Sequence, residues 1–259
     1  MNEWRFLPIE VNNGFWNMAL DEAMLKMAIE KKSLNTLRLY KWKPSTASIG
    51  RHQSLYDEID VKYAKDRGFN VVRRITGGGA VFHDEYREIT YSIVCPIKFL
   101  KDLGAEKVLE QFEIITQGII TGLLIFGLKP EKDVIHCPAI LLDGKKFSGN
   151  AQVRKKGYIL QHGTILLDID PELMYSVLKA PENVDKSKMV RSVRAKCIGI
   201  KNHIQNYEEG KLIISLKRGF EKALNIKLIE GIFSEDEREL AESLVKEKYA
   251  NLEWLQKYE

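Results

Sequence analysis

The sequence predicts an α/β (α+β) protein with a mixed, mostly antiparallel sheet flanked by helices. Helix-period and strand-period segments are interspersed along the chain with no regular βαβ rhythm, which argues against an all-parallel sheet. A length of 259 residues is enough to bury a sizeable core. A hydrophobic fraction of 44% with 29% charged residues is ordinary for a folded globular chain.

The elements follow in order. Residues 17–32, "NMALDEAMLKMAIEKK", place Leu20, Met24, Met27 and Ala28 on one helical face, with Asn17 as a candidate N-cap. "NTLRLYKW" (35–42) alternates as a strand, and "TASIG" (46–50) is expected as its hairpin partner after a turn at Pro44. "NVVRR" and "EITYSIV" predict two strands flanking a glycine segment. Over 105–126, Val108, Phe112, Ile115, Ile119, Leu123 and Phe126 keep the helical period, and apolar residues elsewhere on this helix predict deep burial. Strands are expected at 139–143, 147–153 and 158–168, a helix at 171–179, a charged stretch at 182–196, and helices at 211–225 and 234–249. Ser234 and Glu237 form a candidate capping box for the last helix.

Composition excludes several classes. With 40 basic and 36 acidic residues the net charge is only +4, too balanced for general nucleic-acid binding. Cys95, Cys137 and Cys197 are widely spaced and odd in number, which suits neither a zinc site nor a disulfide framework and predicts a reducing compartment. The start, "MNEWRFLPIE", lacks a basic segment followed by an apolar stretch, so no signal peptide is expected, and the longest apolar run, Ile119 to Leu128, is short for a membrane span. A cytoplasmic (cytosolic) protein with no membrane partner is expected.

Three segments carry chemistry. In "RRITGGGAVFHDEYREITYS" (73–92), consecutive glycines are either a convenient tight turn or a nest of backbone N–H groups for an anion. On a strand, Arg73 and Arg74 point to opposite faces, so at most one faces a ligand. The segment is neither a P-loop nor a dinucleotide fingerprint. His83 and Asp84 read as catalytic groups or as anchors of the loop. In "DGKKFSGNAQVRKKG" (143–157), an Asp-Gly turn joins two strands, and one of Lys145 and Lys146 faces inward, either toward an anionic partner or as part of a solvated basic hairpin. In "ILQHGTILLD" (159–168), His162 and Gly163 interrupt an apolar strand, and glycine in such a place marks close backbone approach or a bulge.

"RRITGGGAVFHD" (73–84), "GKKFSGNAQ" (144–152) and "QHGTILLD" (161–168), with "NMALDEAM" (17–24) and "SEDERELAESLVKEKYANLEW" near the C-terminus, resemble in order and spacing the lipoate–protein ligase and octanoyltransferase superfamily. The resemblance covers nearly the whole chain. It implies a fold related to biotin protein ligases and class II aminoacyl-tRNA synthetases. It also implies attachment of a lipoyl or octanoyl group to a lysine of a carrier domain, such as a 2-oxoacid dehydrogenase E2 or glycine cleavage H protein. The family's K-x-x-G pattern falls on Lys146 and Gly149, making Lys146 the catalytic cation. Arg74, Gly77, Gly78, Gly79, Ala80, His83, Gly149, His162 and Gly163 are the implied substrate- and nucleotide-binding set. Residues 1–259 are expected to form a single catalytic domain, with a core of about 1–225 and a C-terminal helical segment of about 226–259, and with no appended accessory domain.

Two reactions remain open. In the ligase branch, ATP and Mg2+ activate lipoate as lipoyl-AMP, and the short chain implies a separate accessory subunit. The Asn-Asp pair that ligases usually carry before the Gly-Lys-Lys turn falls here on Pro138-Ala139, leaving Asp133 as a candidate metal ligand. In the transferase branch, Cys137 in "VIHCPAILLDGKK" is a nucleophile taking an octanoyl group from acyl carrier protein without a cofactor. The alternative for Cys137 is a small apolar loop residue. The triple glycine followed by Ala80 resembles ligases, while Cys137 and the absent Asn-Asp resemble transferases. The ATP-dependent lipoate–protein ligase is the first expectation, the octanoyltransferase the alternative, and a non-catalytic lipoyl-binding relative or a biotin ligase follows.

Overall fold

The computed structural model describes residues 2–133 and 139–259. The chain runs β1 (Asn2–Asn12), α1 (Gly14–Ile29), β2 (Thr36–Trp42), β3 (Thr46–Ile49), α2 (Leu55–Glu58), α3 (Val61–Asp66), β4 (Asn70–Arg73), β5 (Val81–His83) and β6 (Glu88–Pro96). It continues with α4 (Ile97–Asp102), α5 (Val108–Phe126), β7 (Glu131–Lys132), β8 (Ile140–Leu142), β9 (Lys145–Ser148), β10 (Asn150–Lys155) and β11 (Tyr158–Leu166). Then come α6 (Pro171–Val177), α7 (Lys186–Lys196), α8 (Glu209–Leu224), β12 (Ile226–Glu230), α9 (Glu235–Leu244) and α10 (Leu252–Leu255).

The main sheet has the order β10-β11-β6-β2-β1-β12. The pairs from β10 to β2 are antiparallel, and β2-β1 and β1-β12 are parallel. A second sheet, β4-β3-β5, and a third, β7-β8-β9, lie beside it. The predicted mixed, mostly antiparallel sheet flanked by helices is therefore present.

Strand alternation sorts the main sheet into two faces. Leu37 and Leu39 of β2, Tyr91 and Ile93 of β6, and Ile159 and Ile165 of β11 join one core, with Ile115 and Ile119 of α5 and Leu216 and Phe220 of α8. The intervening residues turn toward α1, where Tyr40, Trp42, Val94 and Leu160 pack with Met18, Leu20 and Met24. Helix α5 is long and apolar enough to cross a membrane by length and composition, with a mean hydropathy of 1.4. Its Ile115, Ile119 and Leu123 are buried against this core.

Several boundaries differ from expectation. Helix α1 is capped by Asn13, whose side chain accepts from the Trp16 amide. Asn17 is instead buried, donating to the carbonyls of Asn12 and Lys41 and accepting from Arg38. β3 does not form a hairpin with β2, because both edges of β2 are taken by β1 and β6; it pairs with β4 and β5 in the second sheet. The charged stretch 182–196 folds from residue 186 as α7, and residues 226–230, read as the start of a helical segment, form β12 at the sheet edge beside β1. The Ser234–Glu237 capping box forms as expected.

Candidate active site

A cavity of about 420 Å³ opens between the α1-facing side of the main sheet, the second sheet and α6. It is lined by Arg74, Gly78, Gly79, Ala80 and His83 from the glycine segment, Lys146 and Gly149 from the β8–β9 region, and His162 and Gly163 from β11. The three chemistry-bearing segments therefore converge on one space. Gly77 is exposed on the same loop but is not part of the lining.

Arg73 and Arg74 diverge. Arg73 is fully buried and donates to the carbonyls of Gln53, Trp254 and Leu255, tying the loop after β3 to residues at the end of the chain. Arg74 faces the cavity, and all five of its N–H groups are taken by the protein. Nε donates to Thr76 Oγ1 at 3.1 Å, Nη1 to the Ser48 carbonyl and hydroxyl at 3.1 and 3.2 Å, and Nη2 to the carbonyls of Gly77 and Gly79 at 2.8 and 2.7 Å. Burial pulls its guanidinium down to about 10, still charged at neutral pH. Arg74 thus shapes the glycine loop from inside and lends the cavity its positive field without a spare donor. Gly78 has φ 92°, a conformation that glycine adopts without the Cβ penalty, and its carbonyl lies against Gly50, where a Cβ would meet it at 2.0 Å.

Two hydroxyl–imidazole–carboxylate relays flank Arg74. In the first, Thr76 Oγ1 lies 2.7 Å from His162 Nε2, and His162 Nδ1 lies 3.1 Å from Asp21 Oδ2. Asp21, 1% exposed, also accepts from Arg38, Ser92 and Tyr40. Burial alone raises its carboxyl, but the His162 hydrogen bond and the Arg38 charge outweigh that and hold it below the usual carboxylate range. Burial lowers the His162 imidazole against the opposing pull of Asp21, so the ring is neutral. An ionised Asp21 accepts only, so the His162 proton sits on Nδ1 and Thr76 donates to Nε2. In the second relay, Ser48 Oγ lies 2.9 Å from His83 Nε2, and His83 Nδ1 lies 2.8 Å from Glu88 Oε1. Trp42 stacks on His83 at 4.0 Å and donates its indole N–H to Thr90, which donates to Glu88. Both histidines line the cavity and also anchor it. Asp84 lies off this lining and pairs with Arg87.

On the opposite rim, the turn Asp143-Gly144 has φ 50° and 70°, the left-handed pair a two-residue hairpin requires. It sets Lys146 on β9, where the backbone of Lys146 bridges to Cys197 and its carbonyl accepts from the Ile198 amide at 3.0 Å. The Lys146 side chain passes over Gly149; a Cβ there would lie 3.2 Å from Nζ. At Gly163 a Cβ would lie 2.2 Å from Asn150 Oδ1 and 2.6 Å from the Gly149 carbonyl, which is the close approach the strand glycine predicted. Cys197 also lines the cavity. Burial raises its thiol, and the Lys146 charge only partly offsets this. Cys95 is fully buried in the sheet core.

Cys137 lies outside the described residues. Asp133 is partly buried at the base of that segment, its amide donating to the Ala139 carbonyl at 3.1 Å. Among the described residues no group of three or more His, Cys, Asp or Glu is arranged to hold a metal ion, and the described cavity lining includes no carboxylate. The described lining therefore supplies cationic and backbone groups but no carboxylate for a magnesium ion. Sequence reasoning missed Asp21, Ser48, Thr76 and Glu88. The available signal was Asp21 itself, a carboxylate inside the apolar helix segment "NMALDEAM".

Residues 13–221 match the family model of the lipoyl protein ligase A/B catalytic domain. The chain is 35% identical to the octanoyltransferase LipM of Brevibacillus brevis, covering 98% of this chain and 99% of that protein. It is 36% identical to the octanoyltransferase LipM of Geobacillus kaustophilus, covering 97% of each. Among solved structures, the bi-partite lipoate protein ligase of Thermoplasma acidophilum superposes with a TM-score of 0.87 at 26% identity, over 100% of this chain and 98% of that one. A lipoate-protein ligase A bound with ATP superposes with a TM-score of 0.84 at 26% identity, over 99% and 100%. With its three signature segments gathered around one cavity and a family match spanning most of its length, the chain belongs to the lipoyl protein ligase A/B catalytic domain family.

Proposed function

We propose that this protein transfers an octanoyl group from an acyl carrier protein thioester to a lysine of a lipoyl-accepting carrier domain, without ATP. The observation that carries this reading is the full-length similarity, at 35% and 36% identity, to proteins named octanoyltransferase LipM. The carboxylate-free lining of the described cavity supports it. The ATP-dependent ligase, the first expectation from sequence, thereby becomes the second reading. It draws on the ligase structures at 26% identity, and on it the chain works with lipoate, ATP, Mg2+ and a separate accessory subunit.

In the proposed reaction the Cys137 thiolate attacks the carbonyl of the donor thioester. The carrier thiolate leaves and takes a proton, and the octanoyl group rests on Cys137 as a thioester. The neutral amine of the acceptor lysine then attacks, an amide forms, the Cys137 sulfur leaves, and the amine proton is lost to solvent. Each step passes through a tetrahedral oxyanion. The Lys146 ammonium is the exposed cation at the cavity rim that stabilises it and favours the thiolate. The Arg74 charge adds a fixed positive field, and Gly78 and Gly79 leave space for the acyl chain along the wall that His83 and His162 complete.

The test offers octanoyl-acyl carrier protein without ATP, or lipoate with ATP and Mg2+, each with an apo lipoyl domain. ATP-free transfer that disappears in Cys137→Ala is the expected result. ATP-dependent lipoylation that persists in Cys137→Ala establishes the second reading instead.

A further inference from the structure

Helix α7 stands apart from the rest of the surface in its charge. Its 11 residues, "KSKMVRSVRAK", carry Lys186, Lys188, Arg191, Arg194 and Lys196 and no carboxylate. That is more positive charge than the net +4 of the whole chain. All five cations are exposed. The helix is seated by Val190, its buried residue. Two cations are engaged locally: Arg194 pairs with Glu172 of α6, and Lys186 donates to Ser176. Asp185, the N-cap, lies within electrostatic reach of Arg191 but uses its carboxylate on the Ser187 amide. Among the described residues, Lys188, Arg191 and Lys196 make no ion pair.

Position gives this charge a use. Helix α7 ends at Cys197, which lines the cavity and bridges to the backbone of Lys146. Lys188, Arg191 and Arg194, spaced i, i+3 and i+6, form one outward stripe running toward the cavity rim. We propose that α7 is the docking surface for the carrier protein that delivers the acyl thioester. The proposal rests on the octanoyltransferase reading and adds a recognition site to it. The chemistry of the two macromolecular substrates selects the donor. A donor carrier brings its acyl group on an arm joined through a phosphodiester, an anion that a cationic rim attracts. The acceptor brings a lysine, whose ammonium the same rim repels. Charges placed at a rim act mainly on encounter rate and salt dependence, not on the bond-making step.

The test is the double variant Lys188→Glu/Arg191→Glu, with folding checked by circular dichroism. Acyl-enzyme formation is measured from octanoyl-acyl carrier protein and from octanoyl-pantetheine, which has the thioester but no protein surface. The KM for the carrier-bound donor is expected to rise about tenfold and the salt dependence of its kcat/KM to flatten. The small donor, and transfer from preformed acyl-enzyme to the lipoyl domain, are expected to be unchanged. An equal loss with the small donor, an unaltered carrier KM, or a loss confined to the acceptor step overturns the proposal. If wild type is acylated by neither donor, the octanoyltransferase reading fails. Direct binding of octanoyl-acyl carrier protein still decides the docking claim: about tenfold weaker binding by the variant supports it, and equal binding overturns it.

Discussion

The cavity has an inner wall and an outer rim, and they are built on opposite principles. The wall is a dense network: Asp21 accepts from four side chains, Arg74 donates to five acceptors, and two histidines are held from both ring nitrogens, with Arg38 Nε and Glu88 Oε2 the buried atoms in it left without a partner among the described residues. The rim has the opposite character, with an exposed Lys146 on a hairpin, a charged helix and few side-chain bonds. Buried charges demand complete pairing, because each unmet partner costs the desolvation of the group left behind. Exposed charges are free to move and to meet a substrate. The wall therefore sets shape, and on the proposed reading the rim handles chemistry and traffic.

Breaking the wall is expected to produce the largest effect. Asp21→Ala leaves Arg38 and His162 without their carboxylate and should cost on the order of 3–5 kcal/mol, measured by denaturant unfolding. An unchanged midpoint would dissolve the distinction between wall and rim. Lys146→Ala should do the reverse, lowering turnover by about 10²–10³-fold with a melting temperature close to wild type. Normal turnover would remove Lys146 from the chemistry. Gly163→Ala tests the seam between them, since the added Cβ meets Asn150 and the Gly149 backbone. A cost of about 1–3 kcal/mol is expected, accompanied by reduced activity because the displaced Gly149 lies under Lys146.

The smallest effect is a pH dependence. The folded pKa of His162 lies below its ordinary value of 6.5, so the protein binds that proton less well than the unfolded chain does. Its contribution to stability is complete above about 6.5 and is lost as pH falls from there through the lowered folded value. Asp21, also lowered, loses its contribution only further down, below its ordinary 3.8. Urea titrations of wild type and His162→Gln between pH 7 and 5 should differ in slope. Parallel curves would show that the ring is not held neutral.

Much of this division was legible in the sequence. Period-two alternation in "NTLRLYKW" and "EITYSIV" determines which residues meet α5 and α8 and which meet α1, and Gly163 announced a close backbone approach. The opposite facing of Arg73 and Arg74 also follows from alternation alone. The pairing of β3 and the existence of β12 were not legible, because both depend on which sheet edges distant strands leave open. The relays were hidden for a similar reason: Asp21 and His162 are 141 positions apart, and nothing local to either reveals the other. Helix α7 was missed because a stretch with few apolar residues carries little periodic signal.

The Arg73 anchor has a consequence for biosynthesis. The arginine beside the glycine loop is tied to carbonyls 181 and 182 positions downstream. Trp254 returns the contact by donating to the Arg73 carbonyl. A chain emerging from the ribosome makes the glycine loop early, yet the support behind it arrives only once residue 255 has cleared the exit tunnel. Until then the loop has its sequence but not its backing, so substrate binding by the nascent chain should switch on late and abruptly. Binding measured on released chains truncated before and after residue 255 would reveal that step.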